Sequence, residues 1–168
     1  MNKPETLPIR DQLEALLARQ IAASREDGLP PAAVRIDRMR RLESVLRDHQ
    51  KAWCEALDAD FAGRPVMQSR MEIFSTIASL QHACKHVHAW MKPERRPLPL
   101  IQRLTGARAE VFYQPLGVVG VVAPWNFPLV LSIGALASVF AAGNRAMLKP
   151  SELAPHSSAL MKELLDRA

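Results

Sequence analysis

Residues 115–152 read PLGVVGVVAPWNFPLVLSIGALASVFAAGNRAMLKPSE. The run 117–123 is apolar throughout and carries four valines. This is the composition of a parallel strand covered by helices, and it predicts a strand buried on both faces. The run stops at Pro124-Trp125-Asn126-Phe127-Pro128, where two prolines four residues apart cannot extend a sheet. Proline at the first helical position is favourable, so Pro128 is expected to open a helix continued by Leu131, Leu136, Val139 and Phe140. Gly143-Asn144 then closes it, because glycine just past a helix tolerates the left-handed conformation, and residues 145–149 form a second short strand before Pro150. The stretch is one β-α-β unit.

Ligands of open parallel sheets bind outside the carboxyl ends of the strands. Asn126 follows the first strand, and Lys149, Ser151 and Glu152 end the second, so an amide, an ammonium and a carboxylate converge on one crevice. Such a set suits a ligand with hydroxyls and a developing negative charge. The glycines of Gly117-Val118-Val119-Gly120 start a strand rather than join strand to helix, and the G-x-G-x-x-G spacing is absent, so they are not a phosphate loop.

PLGVVGVVAPWNFP followed by AAGNRAMLKPSE resembles the aldehyde dehydrogenase superfamily, and the likeness is specific over residues 113–155. The upstream helices and the basic WMKPERRP segment resemble its class 3 branch, and FYQPLGVVG with AAGNRAMLKPSE is most similar to the coniferyl aldehyde dehydrogenases within it. The fold class implied is α/β: N-terminal helices followed by the start of a Rossmann-like parallel sheet, with the catalytic domain absent. The resemblance divides the chain into a helical segment at 1–97, extended segments of an oligomerisation arm at 98–114, and the first βαβα part of an NAD-binding domain at 115–168. The final segment carries Leu160, Met161, Leu164 and Leu165 at helical spacing and reaches residue 168 without a stop signal, which reads as a chain cut off at a helix.

The 168 residues carry a formal charge of +5 and are 48% hydrophobic, enough for one core. The basic balance alone would fit nucleic acid, but Arg38, Arg40, Arg41 and Arg47 alternate with Asp37, Glu43 and Asp48, the pattern of a solvated helix face. Cys54 and Cys84 form no disulfide framework, Met1 is not followed by an apolar leader, and no run approaches the ~18 apolar residues of a membrane span. A cytoplasmic protein without nucleic-acid or membrane partners is expected.

Upstream, Leu13, Leu16, Leu17 and Ile21 share a stripe of a helix over about 11–25, which Gly28-Leu29-Pro30-Pro31 ends. Met39, Leu42, Val45, Leu46, Trp53, Ala56 and Leu57 predict one long helix over about 32–59, and Ile73, Ile77, Leu80, Cys84, Val87 and Met91 a third over about 66–91. In the family such helices cover the cofactor domain. His82, Cys84, His86 and His88 offer metal donors from one helix only, with no second pair, so no metal site is expected. Residues 92–99, KPERRPLP, hold three prolines and read as a connector; 98–104 and 108–114 read as extended segments around Thr105-Gly106, with unpaired edges prone to association.

By the residues alone, Asn126 is either a polar ligand group or the N-cap of the helix opened by Pro128. The resemblance assigns it the oxyanion role: its amide donates to the carbonyl oxygen of the aldehyde during thiolate attack and does not titrate. It also assigns Lys149 and Glu152 to the adenosine ribose of NAD, with Ser151 beside them. Ala123, Pro124 and Trp125 line the nicotinamide side. A carboxylate at the ribose favours NAD, with NADP possible. The bland alternatives are a surface ion pair for Lys149 and Glu152 and a core tryptophan for Trp125. The nucleophilic cysteine and general-base glutamate of the family have no counterpart in this chain, and Cys54 and Cys84 lie on upstream helices. The implied function is NAD(P)-dependent oxidation of an aromatic aldehyde such as coniferaldehyde by a homodimeric or homotetrameric enzyme, this chain being inactive alone. Two other readings are a non-enzymatic helical interaction module and a semialdehyde or acyl-phosphate reductase of the same superfamily.

Overall fold

The structure, a computed structural model, describes residues 8–168; the expectation for the first residues after Met1 lies outside the described part. In chain order the elements are α1 (Ile9–Asp27), α2 (Ala32–Asp48), α3 (Gln50–Phe61), α4 (Val66–Trp90), β1 (Glu94–Arg96), α5 (Leu100–Leu104), β2 (Ala109–Val111) and β3 (Val118–Val122). A π-helical turn (Val130–Gly134), α6 (Ala135–Ala141), β4 (Arg145–Lys149) and α7 (Pro155–Arg167) complete it.

The β-α-β unit forms as the sequence dictates. β3 and β4 pair in parallel, from Val118 opposite Arg145 to Val122 opposite Lys149. The intervening helix starts at Pro128 and ends at Gly143, whose φ of +84° only glycine adopts without strain. Asn144 seals the strand starts, its Oδ1 accepting the Gly117 N–H at 3.0 Å. One core joins the helices to this unit: Met39 and Leu46 of α2, Trp53 and Leu57 of α3, and Leu80 and Val87 of α4 pack with Leu129, Ile133, Leu136, Met161 and Leu164. Alternate strand residues face opposite ways, so Val121 and Leu148, paired in register, turn together onto that core.

Several expectations are corrected. β3 is not buried on both faces: Val122 is 76% exposed, because no element of the described structure covers the second face of this two-stranded sheet there. The predicted helix over 32–59 is two helices broken at His49 (φ −115°, ψ 24°). The break leaves the Val45 carbonyl to the Trp53 indole N–H, 3.1 Å away, which seats this fully buried ring. The stripe of α1 is largely uncovered, since no residue of α1 is buried and the helix engages the rest through polar groups at Gln20 and Asp27. The segment 92–99 is not a plain connector. Glu94–Arg96 forms β1 and pairs antiparallel with β2 (Ala109–Val111), so the segment 108–114 has a strand partner within the chain. Leu100–Leu104 is helical rather than extended, opened by Pro99, a favourable residue at a helix start. No helix among the described residues is long and apolar enough to cross a membrane.

Candidate active site

The carboxyl ends of β3 and β4 lie side by side, and the Ala123 N–H extends their ladder by one bond to the Lys149 carbonyl, at 3.0 Å. Beyond Ala123, which is buried, Pro124, Trp125, Asn126 and Phe127 bend outward and are exposed before Pro128 turns inward. The parallel register therefore sets Asn126 and the Lys149–Glu152 pair at the same end of the sheet.

Asn126 does not cap the following helix. That helix has no side-chain cap of its own; instead the N–H groups of Leu129 and Val130 donate to Glu72 Oε1 of α4, at 2.7 and 3.2 Å. Among the described residues no side chain or backbone group holds the Asn126 amide by a hydrogen bond, so it is left free to donate elsewhere. Its two neighbours are held: the Trp125 ring lies 6.4 Å from that of Phe61, and the Arg64 guanidinium sits over both Phe61 (4.8 Å) and Phe127 (5.7 Å). Trp125 is thus half exposed rather than a core residue.

At the end of β4, Lys149 Nζ donates to Glu152 Oε2 at 2.7 Å, an exposed pair whose hydrogen bond holds the Glu152 carboxyl below the usual carboxylate range. Ser151 is buried and its Oγ accepts the Leu153 N–H at 3.2 Å, which shapes the turn into α7 rather than projecting toward the crevice. An ammonium and a carboxylate, both solvent-facing, thus stand at the carboxyl end of a parallel strand, where ligands of open parallel sheets bind.

The remaining titratable clusters are built differently. His86 stacks on Trp90 while His82 lies tilted against both rings along α4, and no group of three or more His, Cys, Asp or Glu converges among the described residues. Cys54 and Cys84 pack against the helical core, and burial pushes the Cys84 thiol up, away from the thiolate a nucleophile needs.

The residues that sequence reasoning missed are charged groups on the apolar stripes of the first helices. Glu72, 3% exposed, lies between Ser69 and Ile73 on the buried face of α4, and its Oε2 takes the Arg64 guanidinium at 2.6 Å. Asp60 accepts the N–H groups of His156 and Ser157 at 2.8 Å each and the Ser157 hydroxyl at 2.6 Å, capping α7 from α3. Arg35, buried on α2, donates to the carbonyls of Pro30 (2.8 Å) and Ala141 (2.9 Å) and so closes α6. A charge at a core position of a helical stripe is the signal that could have found them.

The family described as "Aldehyde dehydrogenase family" matches residues 10–168. A probable coniferyl aldehyde dehydrogenase of Pseudomonas aeruginosa is 46% identical over 158 residues, covering 94% of this chain and 33% of that protein. A coniferyl aldehyde dehydrogenase of a Pseudomonas species is 45% identical over the same length, covering 94% and 32%. Among solved structures, the substrate-bound AldH of Staphylococcus aureus superposes with a TM-score of 0.81 at 26% identity, over 92% of this chain and 33% of that one. The chain spans about a third of the length of the curated relatives it matches.

Proposed function

This chain belongs to the aldehyde dehydrogenase family, and from that premise we propose that the enzyme built on it oxidises an aldehyde to the carboxylic acid with NAD(P). The carrying observation is Asn126: an exposed amide with no hydrogen bond of its own among the described residues, at the carboxyl end of β3, between two clamped neighbours. Attack of a thiolate on an aldehyde moves charge onto the carbonyl oxygen. A fixed amide donor aimed at that oxygen lowers the barrier by about 2.7–4 kcal/mol. The donor carries no charge in either state of the reaction, so its contribution does not vary with pH. Because Trp125 and Phe127 contact Phe61 and Arg64, the residues on both sides of Asn126 are placed before substrate arrives, which limits the reorganisation left for the reaction.

Lys149 and Glu152 are the residues that would hold the cofactor ribose, Glu152 accepting from a hydroxyl and Lys149 donating beside it; Ala123, Pro124 and Trp125 border the reactive end. The cofactor, when bound, supplies the hydride acceptor. A carboxylate repels a 2′-phosphate, which makes NAD the preferred form over NADP. The likeness to coniferyl aldehyde dehydrogenases supports an aromatic aldehyde such as coniferaldehyde as substrate. Neither Cys54 nor Cys84 is given the nucleophile's role, and no turnover is proposed for the 168 residues alone.

The test is reduction of NAD and of NADP by the intact enzyme, followed by absorbance with coniferaldehyde and with an aliphatic aldehyde of similar hydrophobicity. Faster turnover with the aromatic aldehyde and NAD is expected. Equal turnover with both aldehydes removes the substrate assignment, and preference for NADP removes the role given to Glu152.

A further inference from the structure

The helix that starts at Pro128 must place its first turn accurately, since Asn126 hangs only two residues before it. Its leading N–H groups need an acceptor, and the one capping side chain the preceding residues offer, Asn126, is not engaged. The acceptor is imported from α4. Glu72 Oε1 takes both the Leu129 and Val130 N–H groups, while Oε2 takes Arg64 at 2.6 Å, so each carboxylate oxygen has a separate duty. The pair is deeply buried, with side-chain exposures of 3% for Arg64 and 1% for Glu72. Arg64 then reaches forward over Phe127 and Phe61, and Phe61 meets Trp125.

The contacts close a ring around one residue. Trp125 and Phe127 contact Phe61 and Arg64, the N–H groups of Leu129 and Val130 are held by Glu72, and among the described residues the Asn126 side chain has no hydrogen bond. A buried ion pair is weak evidence for stability, because apolar residues of the same volume do as well or better. Its directional hydrogen bonds, in contrast, give a fixed orientation that apolar packing does not.

We propose that Glu72, with Arg64, is a positioning residue for catalysis: it fixes the first turn of the helix so that the Asn126 amide points at the developing oxyanion. The inference rests on the oxyanion assignment of Asn126 made above. Glu72→Gln discriminates, because an amide in place of the carboxylate sets an NH2 group against either Arg64 or the two backbone N–H groups. One of the two duties is then lost at almost constant volume.

The experiment is a double-mutant cycle in the intact enzyme: Glu72→Gln, Asn126→Ala and the pair, with kcat, KM for the cofactor and far-UV circular dichroism measured for each. Misplacement of a reacting group by a fraction of an ångström to 1 Å costs up to about 100-fold, so Glu72→Gln is expected to lower kcat by about 10-fold or more with cofactor KM unchanged. In the Asn126→Ala background the same change should have no further effect, because there is no amide left to aim. If Glu72→Gln slows the Asn126→Ala enzyme as much as the wild type, the inference falls while the oxyanion assignment stands. Unchanged kcat for Glu72→Gln alone has the same consequence. Should Asn126→Ala itself turn over normally, the oxyanion assignment falls and takes the inference with it. Glu72→Asp, which keeps both charges and shortens the reach, is expected to recover part of the loss. If Glu72→Gln does not yield folded enzyme, Arg64→Lys enters the same cycle and is judged by the same outcomes.

Discussion

Replacing Asp60 by alanine removes a cap that connects two elements about a hundred residues apart. α7 has no capping side chain of its own, because Ala154 and Pro155 stand at its start, and the acceptor arrives from the last turn of α3. Three bonds are lost: two from backbone N–H groups at 2.8 Å and one from the fully buried Ser157 hydroxyl at 2.6 Å. The cap itself is worth about 1–2 kcal/mol. The hydroxyl retains the Ala154 carbonyl at 3.4 Å as a poor substitute, so the exchange costs about 1 kcal/mol more. Asp60→Ala is therefore expected to lower the unfolding free energy of the chain by about 2–3 kcal/mol, with Asp60→Asn near half of that because one acceptor survives. The assay is equilibrium urea unfolding followed by fluorescence, with Trp53, buried beside α3's contacts with the core, as the main reporter. Equal slopes against denaturant keep the comparison to stability alone. A loss below about 0.5 kcal/mol, the size of an ordinary surface change, would refute the reasoning that α7 is capped from outside.

Gly143→Ala is expected to destabilise strongly, since φ is +84° and the new Cβ would stand 2.8 Å from the Arg35 guanidinium carbon; combining it with Arg35→Ala should relieve the steric part and leave the backbone part, about 1–2 kcal/mol, in urea titrations. The acid limb of stability should depend on Asp27. The Arg38 hydrogen bond, then that of Arg145, hold its carboxyl below its ordinary value against the opposing effect of burial. A lowered folded-state pKa stabilises above the unfolded pKa, near 3.9, and the contribution is lost as pH falls through the folded value. Asp27→Asn should flatten the decline of unfolding free energy below about pH 4, and an unchanged decline would show that Asp27 does not contribute to it.

The β-α-β unit was legible because its signals are local: a valine run, a proline that can only start a helix, a glycine that alone takes φ of +84°, and a second short strand. The order of polar residues at the two strand ends followed from the parallel topology. The π-helical turn was not legible, since residues 130–134 read VLSIG and nothing in them distinguishes a wider turn from an ordinary one. The break at His49 was hidden for a similar reason: the apolar period continues through it, and only the Trp53 indole taking the Val45 carbonyl explains it. The strand at Glu94–Arg96 was masked by flanking prolines, which are tolerated at the ends of a short edge strand. The caps from Arg35, Asp60 and Glu72 are tertiary, joining residues 57 to 106 positions apart, and appear in the sequence only as charges out of place on apolar stripes.

Turnover of the intact enzyme carrying Asn126→Ala tests the central claim most directly, measured across several pH values beside cofactor affinity by fluorescence titration. A loss of about 10²–10³ in kcat is predicted. That loss should be the same at every pH, because the amide does not titrate, and cofactor affinity should stay within experimental error of the wild type. Wild-type turnover in the variant would contradict the account, as would a loss that appears only through weaker cofactor binding.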